Sequence, residues 1–233
     1  MNIVGLVGGL GPESTIDYYR RMVSDLRSRC GERPCPEVVI YSADLKAFWR
    51  FVEHQDWEGL TKWLAEKVRC LSDAGAELAA VASNSPHVVF EQVRAQSPIP
   101  LVSIVEATCA KAESMGLRRL GLLGTKMTMQ LDFYARAFAA KGMGVVVPGR
   151  DDQQFIQEKL FSEIVPGIIR DPTREALLGI VQRMIEDHTI DGVILGCTEL
   201  PLILPDEYRG IPFLNTTAIH VEAIVRTCLG GHD

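Results

Sequence analysis

Short apolar runs that end at Gly, Ser, Asn or Pro alternate with longer amphipathic stretches, and this alternation constrains the fold more than any other feature of the chain. Ile3–Val7, Val38–Ser42, Leu78–Ala82, Leu101–Ile104, Arg119–Leu123, Val145–Val147, Val193–Leu195 and Pro212–Leu214 have the length and the Val/Ile/Leu content expected of buried strands. Between most of them, helical periodicity covers Pro12–Arg29, Trp57–Ala74, Val105–Met115, Met129–Lys141, Asp152–Val165 and Thr173–Asp187, and it closes the chain over Thr216–Leu229. Continuous apolar strands separated by helices bury both faces of a sheet, which predicts an α/β chain with mainly parallel sheets. Ligands on such sheets bind beyond the carboxyl ends of the strands, so the residues there are the first candidates for function.

The pattern also repeats. Gly5-Leu6-Val7-Gly8 recurs as Gly121-Leu122-Leu123-Gly124, and Asp17-Tyr18-Tyr19 as Asp132-Phe133-Tyr134. The run Leu78–Ala82 followed by Ser83-Asn84-Ser85 recurs as Val193–Leu195 followed by Gly196-Cys197-Thr198-Glu199. The offsets are 116, 115 and 114, in order along the chain, as duplication of one α/β unit would produce. The expectation is two similar lobes, each a mainly parallel four-stranded sheet flanked by helices, related by pseudo-twofold symmetry. Residues 1–99 plus 209–233 would form the first lobe and 100–208 the second, with a site in the cleft between them.

Composition narrows the function classes. The chain of 233 residues carries a net charge of −6, which argues against nucleic acid or an anionic membrane as the main partner. No apolar run has the length of a membrane span. Met1-Asn2-Ile3-Val4 lacks a basic leader and runs into a glycine-rich turn, so it reads as the start of a first strand and not as a signal peptide. Six cysteines in a chain of this length, without an export signal, point to a reduced, cytoplasmic protein. Cys30-x4-Cys35 lacks metal-knuckle spacing, and no His-x3-His or His-Glu-x-x-His is present, so no metal site is expected. Neither a PLP nor a nicotinamide site is readable, and the Gly-x-Ser-x-Gly elbow of α/β-hydrolases is missing.

Three clusters fall at strand ends. Gly8-Gly9-Leu10-Gly11-Pro12-Glu13-Ser14-Thr15 joins a strand to a helix, where close backbone approach and free N–H groups suit an anion; a plain tight turn is the alternative. Ser83-Asn84-Ser85-Pro86-His87 places small polar groups after a buried strand, and Ser85 before Pro86 reads as a helix cap. Gly196-Cys197-Thr198-Glu199-Leu200-Pro201 places a thiol where a strand empties into a loop, and neighbouring donors there can lower its pKa so that it acts as base or nucleophile. His87 and His220 are candidates to orient or protonate a strand-end group; His54, His188 and His232 have no such context. Trp49, Trp57 and Trp63 cluster in one segment, which packing or an oligomer contact accounts for.

These motifs resemble those of the aspartate/glutamate racemase family. Gly8–Thr15 resembles its Gly-Gly-Met-Gly-Pro-Glu-Ala-Thr opening, Ser83–His87 its Cys-Asn-Thr-Ala-His motif, and Gly196–Pro201 is similar to its Gly-Cys-Thr-Glu motif. Gly121–Thr128 and Thr216–Glu222 also fit. The resemblance implies a cofactor-independent amino-acid racemase with a homodimeric habit, in which one thiolate takes the α-proton and a thiol on the opposite face returns one. It implies Cys197 and Ser83 as the catalytic pair, with Leu10, Gly11, Asn84, Ser85, Thr125, Thr128, Thr198 and Glu199 around an amino-acid substrate. Lys159 or Arg50, with Lys46 a further cation, would meet a side-chain carboxylate. Ser83 stands where the family pattern has its first cysteine, and Asn215 where an aspartate is common. A hydroxyl is a much weaker acid than a thiol, so the reaction is expected to be lopsided, with Cys197 acting on the L-enantiomer and Ser83, relayed through His87, on the other face. Two other readings stay open: a one-thiol relative that decarboxylates or isomerises small dicarboxylates, and a silent carboxylate-binding protein.

Overall fold

The computed structural model describes residues 3–230. The chain divides into two compact units, 3–104 with 220–230 and 105–219.

The first unit is built on β1 (Val4–Gly8), β2 (Val38–Ser42), β3 (Leu78–Val81) and β4 (Leu101–Val102), all parallel, in the order β2-β1-β3-β4. Val4 and Leu6 of β1 and Leu78 and Ala80 of β3 pack against α1 (Pro12–Cys30) and the end of α10 (Thr216–Cys228). The helices answer with one-turn spacing: Tyr18, Met22 and Leu26 from α1, and Val221, Ile224 and Val225 from α10. Gly5 lies on the other face, where a Cβ would sit 3.1 Å from Leu71 of α3 (Trp57–Asp73). Helix α2 (Leu45–Glu53) is capped by the Asp44 carboxylate, which accepts the Lys46 N–H at 2.9 Å. Phe51 of α2 meets Trp63 of α3 with ring centroids 5.9 Å apart, and Phe48 and Trp49 meet within α2 at 5.2 Å, so two of the tryptophans serve packing.

The second unit repeats the plan. β5 (Arg119–Gly124), β6 (Gly144–Val146), β7 (Gly192–Gly196) and β9 (Ile211–Asn215) are parallel in the order β6-β5-β7-β9. A two-residue strand β8 (Glu207–Tyr208) pairs antiparallel with β9, so this sheet has five strands where four were expected. The extra strand arises because Gly210, at φ +78, turns the chain back on itself immediately before β9. The offsets of the sequence repeat hold in the pairing register: Leu6 lies beside Ala80 as Leu122 lies beside Ile194. Buried Tyr18 corresponds to buried Tyr134 at offset 116, whereas Tyr19, aligned with Tyr134 by the sequence match, is exposed.

Helix α5 (Ile104–Ser114) follows β4 but clusters with the second unit, and α10 follows β9 but returns to the first from His220 onward. The unit boundaries therefore fall at 104/105 and 219/220, later than the expected 99/100 and 208/209, and β9 belongs to the second sheet. The expected helix Met129–Lys141 is two helices, α6 (Lys126–Gln130) and α7 (Phe133–Ala139), because Leu131 is extended and Asp132 restarts the chain. The expected Asp152–Val165 is α8 (Arg150–Lys159) followed by a π-helical turn, Leu160–Ile164. Helix α9 (Asp171–His188) completes the core with Leu177, Ile180, Val181 and Met184.

Candidate active site

In the first unit two strand ends carry the candidate residues. After β1, Gly9 adopts φ +81, and a Cβ there would fall 2.3 Å from the Ala43 carbonyl oxygen, so only glycine fits. Thr15 locks the turn: its Oγ1 accepts the Gly9 N–H at 2.9 Å and donates to the Gly11 carbonyl at 3.1 Å. Gly11 is the cap of α1 and supplies no side-chain acceptor, and Pro12 is the first helical residue. The first N–H groups of a 19-residue helix thus open at the carboxyl end of the sheet. Leu10 is buried, so its side chain is core and only its backbone is on offer. Ser14 ties the turn to the next strand by donating to the Ala82 carbonyl at 3.4 Å.

After β3, Ser83 is half-buried while Asn84 and Ser85 are buried. Asn84, not Ser85, holds the cap position of the following 3₁₀ turn, Ser85–Val89, and it does so without a side-chain cap bond. His87 Nδ1 lies 2.9 Å from the Ser83 carbonyl oxygen, and Nε2 accepts the Ile104 N–H at 3.3 Å. This network assigns the neutral Nδ1–H tautomer. Both ring nitrogens are committed to backbone, so His87 holds the Ser83 carbonyl and is not placed to relay a proton to the Ser83 hydroxyl. Burial, and then the neighbouring His220, push its pKa down to about 3. His220 is likewise core: Nε2 meets the Val102 carbonyl at 3.0 Å, Nδ1 meets the Tyr18 hydroxyl at 2.9 Å, and burial lowers it to about 4. Neither histidine is placed as a proton donor at a strand end, the role for which the sequence made both candidates. His232 lies outside the described residues.

In the second unit Gly124 and Gly196 are register partners at the ends of β5 and β7, and a Cβ on either would lie 2.9 Å from a backbone oxygen of the opposite strand. This close approach delivers two polar loops side by side. Thr125 caps α6, its Oγ1 accepting the Thr128 N–H at 3.2 Å beside the buried Thr128 hydroxyl at 3.1 Å. Cys197, buried directly after β7, donates from Sγ to Glu199 Oε2 at 3.0 Å, and the Thr198 hydroxyl donates to the same oxygen at 2.8 Å. Glu199 is also buried. Burial first, and then the Glu199 carboxylate, raise the Cys197 pKa well above that of an ordinary thiol. The sequence reading expected the opposite shift. The resting group is therefore a protonated thiol with a carboxylate in contact, a pair able to move one proton between sulfur and oxygen.

The candidate cations lie on helices, Lys46 and Arg50 on α2 and Lys159 on α8. Lys159 Nζ pairs with Glu163 Oε1 at 2.8 Å, and that contact holds the Glu163 carboxyl below its ordinary range. Lys46 and Arg50 are exposed on α2, where they line an open depression of about 600 Å³ with Asp44, Trp49 and Glu53. Asn215 caps α10, its Oδ1 accepting the Ala218 N–H at 3.1 Å, a role that asks for a side-chain acceptor and not for charge. Sequence reasoning missed the parts played by Ser14 and Thr15, and it read Glu199 as a ligand contact. The Cys-x-Glu spacing was the available signal for a thiol–carboxylate pair. No group of three His, Cys, Asp or Glu side chains able to hold a metal occurs among the described residues, and no described helix is long and apolar enough to cross a membrane.

The family described as Asp/Glu/Hydantoin racemase matches residues 7–224. The chain is 25% identical over 231 residues to the broad specificity amino-acid racemase RacX of Bacillus subtilis (strain 168), covering 97% of this chain and 98% of that one. A solved structure from Yersinia pestis, of an Asp/Glu racemase candidate, superposes with a TM-score of 0.90 at 31% identity, covering 98% of this chain and 100% of that one. An aspartate racemase homologue from Pyrococcus horikoshii OT3 gives 0.86 at 35%, with the same coverage. With a match running from residue 7 to residue 224, well over half of its length, the chain belongs to the Asp/Glu/hydantoin racemase family.

Proposed function

We propose that the protein is a cofactor-independent amino-acid racemase acting on aspartate, glutamate or a broader set of amino acids. The observation that carries this reading is the contact of Cys197 Sγ with Glu199 at the end of β7, at the repeat position of Ser83 at the end of β3. Glu199 takes the thiol proton, the Cys197 thiolate removes the α-proton of the L-enantiomer, and the Ser83 hydroxyl delivers a proton to the other face. Ser83 then recovers a proton from water, since His87 is committed to backbone, and Glu199 returns the proton it took to water, which closes the cycle. An α-proton is far less acidic than a thiol, so the negative charge that develops must be met by donors. The N–H groups after Gly11, the Asn84 amide and the Thr125 hydroxyl are the candidate donors, whereas the Thr198 hydroxyl would first have to leave Glu199. For an acidic side chain Arg50 is the better cation, because Lys159 would first have to leave Glu163.

A hydroxyl at position 83 makes the two directions unequal in rate, while the equilibrium between enantiomers stays fixed. The test is incubation with single L- and D-amino acids in D2O, following α-proton exchange by NMR and inversion by chiral chromatography. Exchange with inversion is the expected result, faster when started from L. Cys197→Ala should abolish it, and unchanged exchange in that variant would remove the thiol from the mechanism. No exchange with any amino acid would overturn the reading: carbon dioxide released from a malonate would then favour a decarboxylase, and binding without turnover a silent carboxylate-binding protein.

A further inference from the structure

Helix α1 carries apolar side chains that its own core does not cover. Tyr18, Met22 and Leu26 pack against the sheet, whereas Ile16 and Tyr19, outside that stripe, are each 49% exposed, and Val23 is half-buried. With Arg20, Ser24 and Arg27 they line an open depression of about 630 Å³ on the outer side of the helix. The solvent side of a helix is ordinarily polar, so apolar side chains gathered at one place there mark a contact surface.

The charges along this surface are unmatched within the chain. Neighbouring carboxylates are satisfied on their own helix: Asp17 takes Arg21 at 2.7 Å, and Asp25 takes Arg29 at 3.0 Å. Among the described residues, no ion pair or side-chain hydrogen bond involves Glu13, Arg20 or Arg27, all three of which are exposed. Positions 13, 16, 20, 23 and 27 follow the alternating steps of three and four that draw a seam along one helix for a second helix to meet. Glu13 and Arg27 stand at equal distances on either side of Arg20, about 10 Å along the axis. A copy of the helix turned end for end about Arg20 sets each Glu13 against an Arg27 and each Ile16 against a Val23. Tyr19 then lies near the axis, beside its own copy and the Arg20 guanidinium. A parallel copy would set Glu13 on Glu13 and Arg27 on Arg27. Opposite charges at the two ends of one seam are answered by the same seam reversed, and a second copy of this chain carries it.

We propose that α1 is the surface through which two copies of this chain form a symmetric dimer, with the two helices antiparallel and Arg20 at the twofold axis. In a twofold contact each surface meets itself, so one self-complementary seam is enough. The helix has 19 residues and is about 28 Å long. Two such helices side by side cover less than a standard protein interface, so the dimer is reversible and forms as concentration rises.

Sedimentation velocity over a range of protein concentrations reads the dimer, and circular dichroism checks that each variant is folded. The expected result is a monomer that converts to a dimer as the concentration rises through the micromolar range. Ile16→Asp should abolish the dimer. Glu13→Arg and Arg27→Glu each bring like charges together twice and should raise the dissociation constant by about tenfold or more. The double variant exchanges the pair and should return the constant to near that of the wild type. Cross-linking tests the register: exposed Cys35 and Cys70 are first replaced by serine. In that background Arg20→Cys should be captured as a covalent dimer on oxidation with diamide. Ser28→Cys, exposed on the same helix, should not be, because its two copies would lie about 24 Å apart along the axis. A chain that stays monomeric throughout, a dimer indifferent to Ile16→Asp, or a double variant no tighter than the single ones overturns the proposal. The outcome does not depend on racemase activity.

Discussion

Lowering the pH from about 8 to about 5 should destabilise the fold by about 4 kcal/mol through His87 and His220 alone. Both rings are buried in the first unit with centroids 6.3 Å apart, and their pKa values are held at about 3 and about 4 against an ordinary 6.5. Desolvation is the leading cause for each, and for His87 the second ring adds to it. Protonating His87 would also aim a new N–H from Nε2 at the Ile104 N–H, which is itself a donor. Because the folded pKa values are depressed, the unfolded chain binds the extra protons. Stability is therefore fully present above about 6.5 and is lost as the pH falls towards the folded values. At pH about 5 each histidine is about 1.5 pH units below its unfolded pKa and still almost neutral when folded, a loss of about 2 kcal/mol apiece. The slope between pH 6 and 5 should approach about 2.7 kcal/mol per unit, the signature of two protons taken up on unfolding. Urea denaturation followed by circular dichroism from pH 5 to 8 at constant ionic strength measures it. His87→Gln and His220→Gln should each begin less stable at the alkaline end, and each should show about half the slope. A flat profile, or a wild-type slope retained in both variants, would refute the account of these rings as neutral core residues.

Two further outcomes follow from the strand ends. Glu199→Gln keeps the size of the side chain but cannot take the Cys197 proton, so exchange from the L-enantiomer should fall by about 10²–10⁴-fold in kcat with little change in KM; an undiminished kcat in the NMR exchange assay would show that the proton leaves Cys197 by another route. Gly9→Ala forces a side chain into the left-handed region and against the Ala43 carbonyl; a cost of at least about 1–3 kcal/mol is expected, read as a lower urea midpoint, and an unmoved midpoint would mean that the turn relaxes freely.

What could be read from residues alone followed how far each feature depends on local pattern. The apolar strands β1, β3, β5 and β7 were legible because both faces are buried, which leaves a continuous run in the sequence. Helix α2 was missed, although Asp44 as cap and Leu45, Phe48, Trp49 and Val52 at helical spacing announce it; the tryptophans drew attention to packing instead. Strand β8 has two residues and exists only through its pairing with β9, so no local signal could show it. Segments 83–87 and 197–201 follow β3 and β7, as the apolar runs before them indicate, but the partners of their side chains were not legible. That His87 faces backbone on both sides, and that Lys159 is matched by Glu163, depends on elements distant in sequence or on the π-helical turn after α8.

The repeat explains why the proposed chemistry is unequal. Strand interiors must keep register, because a slip of one residue turns every side chain to the opposite face, and the register is indeed the same in both units. Within the helical layers, too, each unit buries a tyrosine hydroxyl against a polar partner: Tyr18 on His220, and Tyr134 on Thr108. Strand ends answer only to their own turns and are free to differ. There Cys197 takes the repeat position of Ser83, and Glu199 that of Ser85, two residues on in each motif. A Ser83→Cys substitution therefore restores the sulfur without its carboxylate. Exchange from the D-enantiomer should rise in this variant, and the gain should grow as the pH climbs towards about 8.5, the range in which a thiol ionises unaided. Exchange from the L-enantiomer, which relies on Cys197 and Glu199, should not acquire that added rise. Rates of deuterium uptake started from each enantiomer over a range of pH decide the matter: a D-side rate that shows no gain at any pH would mean that position 83 does not serve the second face.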